Sequence, residues 1–118
     1  MNRISIALSV LLAVASAPAF AQDHSAHGGA NSATSQAYMQ AMKRMDDDMS
    51  SMKMSGQPGV DFARMMIPHH QSAIDMAKAY LASGENDPTI RKIVEDVISS
   101  QEREIGELRA WLESKGAQ

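Results

Sequence analysis

Two adjacent histidines, His69 and His70, directly follow Met65, Met66, Ile67 and Pro68, and nine of the chain's ten methionines fall between Met39 and Met76. Thioether sulfur is neutral and polarisable and binds without losing a proton, so together with imidazole it suits Cu(I) or Ag(I), whereas Mg²⁺ and Ca²⁺ want oxygen ligands. The stretch is therefore a candidate soft-metal site. Methionine is also a common filler of irregular helical cores, so packing is the competing account of the thioethers. That account leaves the paired histidines unexplained. The chain has no cysteine, which removes thiolate as a soft ligand and leaves methionine in that role.

Helices must position these side chains, because no run alternates with period two and aromatic and β-branched residues are sparse before residue 89. A first helix is predicted from about Ser35 to Met54, ended by the breaker cluster Ser55-Gly56-Gln57-Pro58-Gly59. At about 100° per residue, Tyr38, Met42, Met45, Met49 and Met52 share one stripe, with Met39 and Met54 off it. A second helix is predicted from Val60 or Asp61 to Gly84, a natural C′ residue. Its central stripe holds Phe62, Met65, Met66, His69, Ala73, Met76, Ala77 and Tyr80, with His69 in the middle and His70 at the edge beside Ile74 and Leu81. Pro68 cannot donate to the carbonyl of Arg64 and crowds it, which predicts a bend just before the histidines. The alternative places Pro68 at the first position of a shorter helix.

The third helix is the clearest. Asp87 is a good N-cap with Pro88 behind it, and Ile90, Ile93, Val94, Val97, Ile98, Ile105, Leu108, Trp111 and Leu112 repeat at three-four spacing to about Ser114. Gln101 interrupts this apolar stripe. It either reaches solvent at the stripe margin or hydrogen-bonds an imidazole of His69 or His70. The candidate Cu(I) ligands are thus Met65, Met66, His69, His70 and Met76 of the second helix, facing Met42, Met45 and Met49 of the first.

The N-terminus reads as an export signal: Met1 to Arg3 is a short positive segment, Ile4 to Ala15 is almost wholly apolar, and Ala19-Phe20-Ala21 has the small-x-small pattern of a cleavage site. Cleavage after Ala21 is expected to give a periplasmic or secreted protein of 97 residues, with residues 22–34 as a disordered tail rich in Gly, Ser, Ala and His. The mature chain would begin Gln22-Asp23-His24, so that its amine, two amide nitrogens and the His24 imidazole could close a square-planar Cu(II) site. Loss of Arg3 leaves ten basic against 14 acidic residues, a formal charge of −4, which argues against a nucleic-acid partner. No later run is long and apolar enough for a membrane span. So short a chain buries a modest core, and pairing into a homodimer would complete a bundle.

The motif Met65-Met66-Ile67-Pro68-His69-His70, with Asp61-Phe62 before it and Ala73-Ile74-Asp75-Met76-Ala77, Asp87-Pro88, Ile90-Arg91, Ile98, Gln101, Glu104-Ile105 and Trp111-Leu112 after it, resembles the family of small exported bacterial proteins catalogued as domain of unknown function 305. The likeness covers about residues 35–115. It implies an all-α, ferritin-like helical bundle, here of three helices, with periplasmic copper or silver binding and tolerance as the role. Met66, His69, His70 and Met76 are the metal-associated positions it implies. Many members carry a methionine shortly after the Glu-Ile pair, where this chain has Leu108.

Enzymatic readings fare poorly. A di-iron centre in a ferritin-like bundle needs Glu-x-x-His on two helices, and the residues three before His69 and His70 are Met66 and Ile67. Catalytic zinc needs three firm His or carboxylate ligands, and only two histidines lie in the helical part. The expectation is a non-enzymatic protein that buffers or transfers Cu(I) or Ag(I), with a copper chaperone or efflux component as its partner class. A metal-independent periplasmic stress or chaperone-like protein, using methionines as an adaptable surface for clients, is the alternative.

Overall fold

The computed structural model describes residues 32–117, so the expected signal peptide, most of the expected tail and His24 lie outside the described residues. Three helices follow one another: α1 (Ala33–Ser51), α2 (Pro58–Ala82) and α3 (Pro88–Ser114). Among the described residues there is no strand, and the fold is an all-α helical bundle.

α1 and α3 begin where a side chain satisfies free amides. The Ser32 hydroxyl accepts from the Ser35 amide at 3.0 Å, which starts α1 two residues before the predicted Ser35. Asp87 accepts from the amides of Thr89 and Ile90, both at 2.9 Å, with Pro88 in the first turn as expected. α2 starts earlier than its periodicity suggested. Pro58 occupies its first turn, where a missing N–H is no loss, so a residue that reads as a breaker after α1 is the initiator of α2.

The linker between α1 and α2 is closed by one side chain. The Asp61 carboxylate, in the first turn of α2, accepts from the Ser55 amide at 2.8 Å, the Ser55 hydroxyl at 2.7 Å and the Gly56 amide at 3.1 Å. These bonds hold the Asp61 carboxyl below its ordinary range, the Ser55 amide contributing most. Gly56 supplies the left-handed turn at φ +82, and Gly84 does the same at φ +81 just beyond the end of α2. α2 runs without a break through Pro68, so the shorter helix that would begin at Pro68 is not formed.

α2 is the central element. α1 and α3 both pack on it, but no Cα of α1 lies within 8 Å of one in α3. The core is small and partly built of alanine: Ala41, Ala63 and Ala77 are buried with Val60, Ile74, Tyr80, Ile105 and Leu112, letting the backbones approach closely. At the end where α2 begins, Ile67, Leu108 and Ala117 close over Val60, Ala63 and Leu112. The Ala117 carbonyl accepts from Arg64 at 3.1 Å, tying the end of the described chain to α2. Arg44–Asp75 links α1 to α2 at 2.9 Å and Lys78–Glu102 links α2 to α3 at 3.2 Å; both are exposed pairs and contribute little. No helix among the described residues is long and apolar enough to cross a membrane.

Candidate metal centre

Residues four apart stack along one edge of a helix, and on α2 that edge carries Phe62, Met66 and His70. α3 answers with Glu104, Leu108 and Trp111, four and then three residues apart. The two rows border an open cleft of about 420 Å³. Within it the His70 Nε2 lies 2.7 Å from a Glu104 carboxylate oxygen, and the His70 side chain is only 12% exposed. A neutral imidazole paired with a carboxylate donates from Nε2, which leaves the lone pair on Nδ1. Nδ1 is itself buried and has no hydrogen-bond partner among the described residues. Carboxylates hold metal-ligating histidines in this way, fixing both tautomer and ring orientation.

The aromatic walls have a sequence cause as well. A Cβ at Gly59 would come within 2.9 Å of the Trp111 ring, so the glycine is what lets the indole lie over the start of α2. The Lys115 ammonium lies 5.6 Å from the ring centroid.

The expected ligands do not converge on one point. Met66 and His70 share the cleft between α2 and α3. His69, expected in mid-stripe, is exposed, with its ring centroid 6.0 Å from that of His70 and tilted by 55°. The inversion has a geometric origin. α2 meets α3 through Val60, Ala63 and Ile67, which pack with Leu108 and Leu112, and α1 through Asp75, which pairs with Arg44. His69 lies on neither of these edges of the helix. Met65 is half-buried. Met76 lines a separate cavity with Tyr38 and Tyr80.

The first-helix methionines belong to another surface. Met45 and Met49 are half-buried on the stretch of α1 between Arg44, which pairs with Asp75, and Met52, which lines a cleft with Arg64 and Ile67. Met42 is turned outward, 43% exposed. Gln101, expected to hold an imidazole, does not: its Oε1 is buried without a partner, and Glu104, one turn further along α3, takes the bond. Glu104 is the residue that sequence reasoning missed. Its i+3 spacing from Gln101 was the available signal, since it puts a carboxylate on the same edge of the helix.

Among the described residues no three His, Asp or Glu side chains are grouped to hold a metal ion. The cleft brings the Met66 thioether beside His70, Glu104 and Glu107. The model of the family described as Domain of unknown function (DUF305) matches residues 11–112. The chain belongs to that family. The DUF305 match thus takes in all of α1 and α2 and α3 as far as Leu112. Over 53 residues the chain is also 40% identical to Uncharacterized protein L153 of Acanthamoeba polyphaga mimivirus, a stretch that makes up 45% of this chain and 34% of the viral protein. This DUF305 chain thus spans about a third of the length of that relative.

Proposed function

We propose that this protein carries Cu(I), or Ag(I) in its place, as cargo, buffering or handing over the ion in periplasmic copper tolerance without chemistry of its own. The observation that carries the reading is His70, held by Glu104 at 2.7 Å with its second nitrogen buried and unpartnered in the cleft that Met66 lines. A Met66 thioether and a His70 imidazole would supply a soft, two-donor set with low charge, which favours Cu(I) over Zn(II). Exposed His69 is close enough to serve as a third donor and as the point where an ion enters or leaves. A copper chaperone or efflux component is the corresponding exchange partner.

Two parts of this proposal concern residues outside the described ones: export through the N-terminal signal, and a Cu(II) site at the mature Gln22-Asp23-His24 terminus. Electron paramagnetic resonance with one equivalent of Cu(II) tests the latter, through a nitrogen-rich tetragonal signal that disappears in His24→Ala and survives loss of His69 and His70. The alternative, a metal-independent chaperone-like protein, draws on the outward methionines Met39 and Met54 and on Phe62, each more than 60% exposed. Native mass spectrometry of the mature protein titrated with Cu(I), Ag(I), Cu(II) and Zn(II) separates the readings. Cu(I) and Ag(I) retained at a fixed stoichiometry support the carrier. No retained metal, with aggregation of a client suppressed equally in its absence, supports the chaperone.

A further inference from the structure

At the end of the molecule opposite the Met66–His70 cleft, α2 and α3 border an apolar groove of about 350 Å³, lined by Tyr38 of α1, Ala73 and Met76 of α2, and Ile90, Val94 and Val97 of α3. It meets a second cavity of about 360 Å³ with a polar wall: Ser32, Thr34, Ser35, Ser83 and Glu85. Tyr38 and Tyr80 line both. Tyr80 is only 7% exposed, and its hydroxyl is buried with no hydrogen-bond partner among the described residues. A phenol in such a place is less stable than a phenylalanine would be unless something bonds to the oxygen. Neighbouring hydroxyls are already engaged: Ser83 donates to the Tyr80 carbonyl at 2.6 Å and Ser32 to Ser35 at 2.8 Å.

The charge at the mouth restricts the class of ligand. Glu85 has no ion pair among the described residues, and the nearest cations along α3, Arg91 and Lys92, are taken by Glu95 and Asp96. An apolar trough, a buried unpartnered hydroxyl at its polar end and an unneutralised carboxylate just outside together describe a receptor for a molecule with a hydrocarbon tail and a cationic, hydrogen-bonding head. We infer that the Tyr38–Tyr80 groove binds a single-chain amphiphile with a protonated amine head, the tail lying along Ala73, Val94 and Val97 and the ammonium between the Tyr80 hydroxyl and Glu85. The groove shares no lining residue with the Met66–His70 cleft.

Calorimetric titration of metal-free mature protein with dodecylammonium below its micellar concentration tests the assignment, with dodecanoate and dodecanol as comparators. Both tyrosines of the chain line the groove while Trp111 is in the other cleft, so binding should change the tyrosine near-ultraviolet signal and leave the tryptophan signal unmoved. We expect one-to-one saturation with dodecylammonium, weaker binding of dodecanol and the weakest of dodecanoate. Tyr80→Phe should lower the amine's affinity roughly ten-fold, the scale of a hydrogen bond to a charged group, without loss of helicity or of Cu(I) affinity. Glu85→Gln should remove the preference for the amine over the alcohol. Absence of saturable binding, equal binding of the carboxylate, or an unchanged affinity in Tyr80→Phe would overturn the assignment. So would sedimentation showing a dimer, broken by Val94→Asp, that covers the groove in the absence of any amphiphile.

Discussion

The two interfaces of α2 use methionine differently. On α1, thioethers recur along the helix away from any histidine in the sequence, and Met45 and Met49 are half-buried. Toward α3, one thioether, Met66, shares a cleft with an imidazole and a carboxylate. The first arrangement is what flexible apolar side chains do when they fill an irregular seam. The second has features that packing does not require, namely an oriented ring and an unpartnered nitrogen. If the soft ion of the proposed function binds in the second, the company a methionine keeps is a better guide than its abundance.

The largest effect expected from that contrast is in Cu(I) affinity. His70→Ala should weaken Cu(I) by about ten-fold or more in competition against a chromophoric chelator, and Glu104→Gln by about ten-fold through loss of ring orientation. His69→Ala should cost less than either. An affinity unchanged in His70→Ala, or falling most in His69→Ala, would move the site out of the α2–α3 cleft. On the other interface, Met45→Leu and Met49→Leu should each change stability by less than about 1.5 kcal/mol. Titration with Ag(I) then decides their role. An undiminished count of bound ions marks them as core, and a lower count makes them ligands.

Acid stability distinguishes the α1 side further. Because the Asp61 carboxyl is held below its ordinary value of 3.8 by bonds from Ser55 and Gly56, the native state binds that proton less readily than the unfolded chain. The stabilisation is therefore fully present above the ordinary value and fades as pH falls through the lowered one. Asp61→Asn should lower Tm at neutral pH, and the gap to the parent should close in strongly acidic solution. A gap that persists unchanged in acid would place the effect elsewhere. The smallest effect is expected at Gly59→Ala, where better helix propensity, at most about 1 kcal/mol, opposes displacement of the Trp111 ring. Stability should hardly change while the tryptophan emission shifts; an unmoved emission would mean that the indole does not rest there.

Legibility from sequence followed how local each determinant is. α3 was readable at both ends, because Asp87-Pro88 is a cap written in two residues and the apolar repeat has a single partner. The start of α2 was displaced because Pro58 serves equally to stop one helix and to begin the next, and only the fold says which. The residue types of the candidate site were readable and Met66 and His70 were among them, but not that His70 rather than His69 is the shielded ring, nor that Glu104 rather than Gln101 bonds it. A helical wheel assigns one centre to an apolar stripe, and α2 has two neighbours on different sides. Choosing Glu104 over Gln101 needed the axial offset between α2 and α3, a long-range quantity that no spacing within either helix contains.

Since the α1 backbone approaches α2 and not α3, with Tyr38 meeting α3 only across the groove it shares with Ile90 and Val94, the bundle is a chain of two seams rather than a closed ring. α1 can detach by giving up one interface, while the α2–α3 pair keeps its own, including the Val60, Ala63 and Leu112 cluster. Amide hydrogen exchange would then sort the molecule into two cooperative units, α1 exchanging through a low-energy opening and the α2–α3 hairpin only near global unfolding.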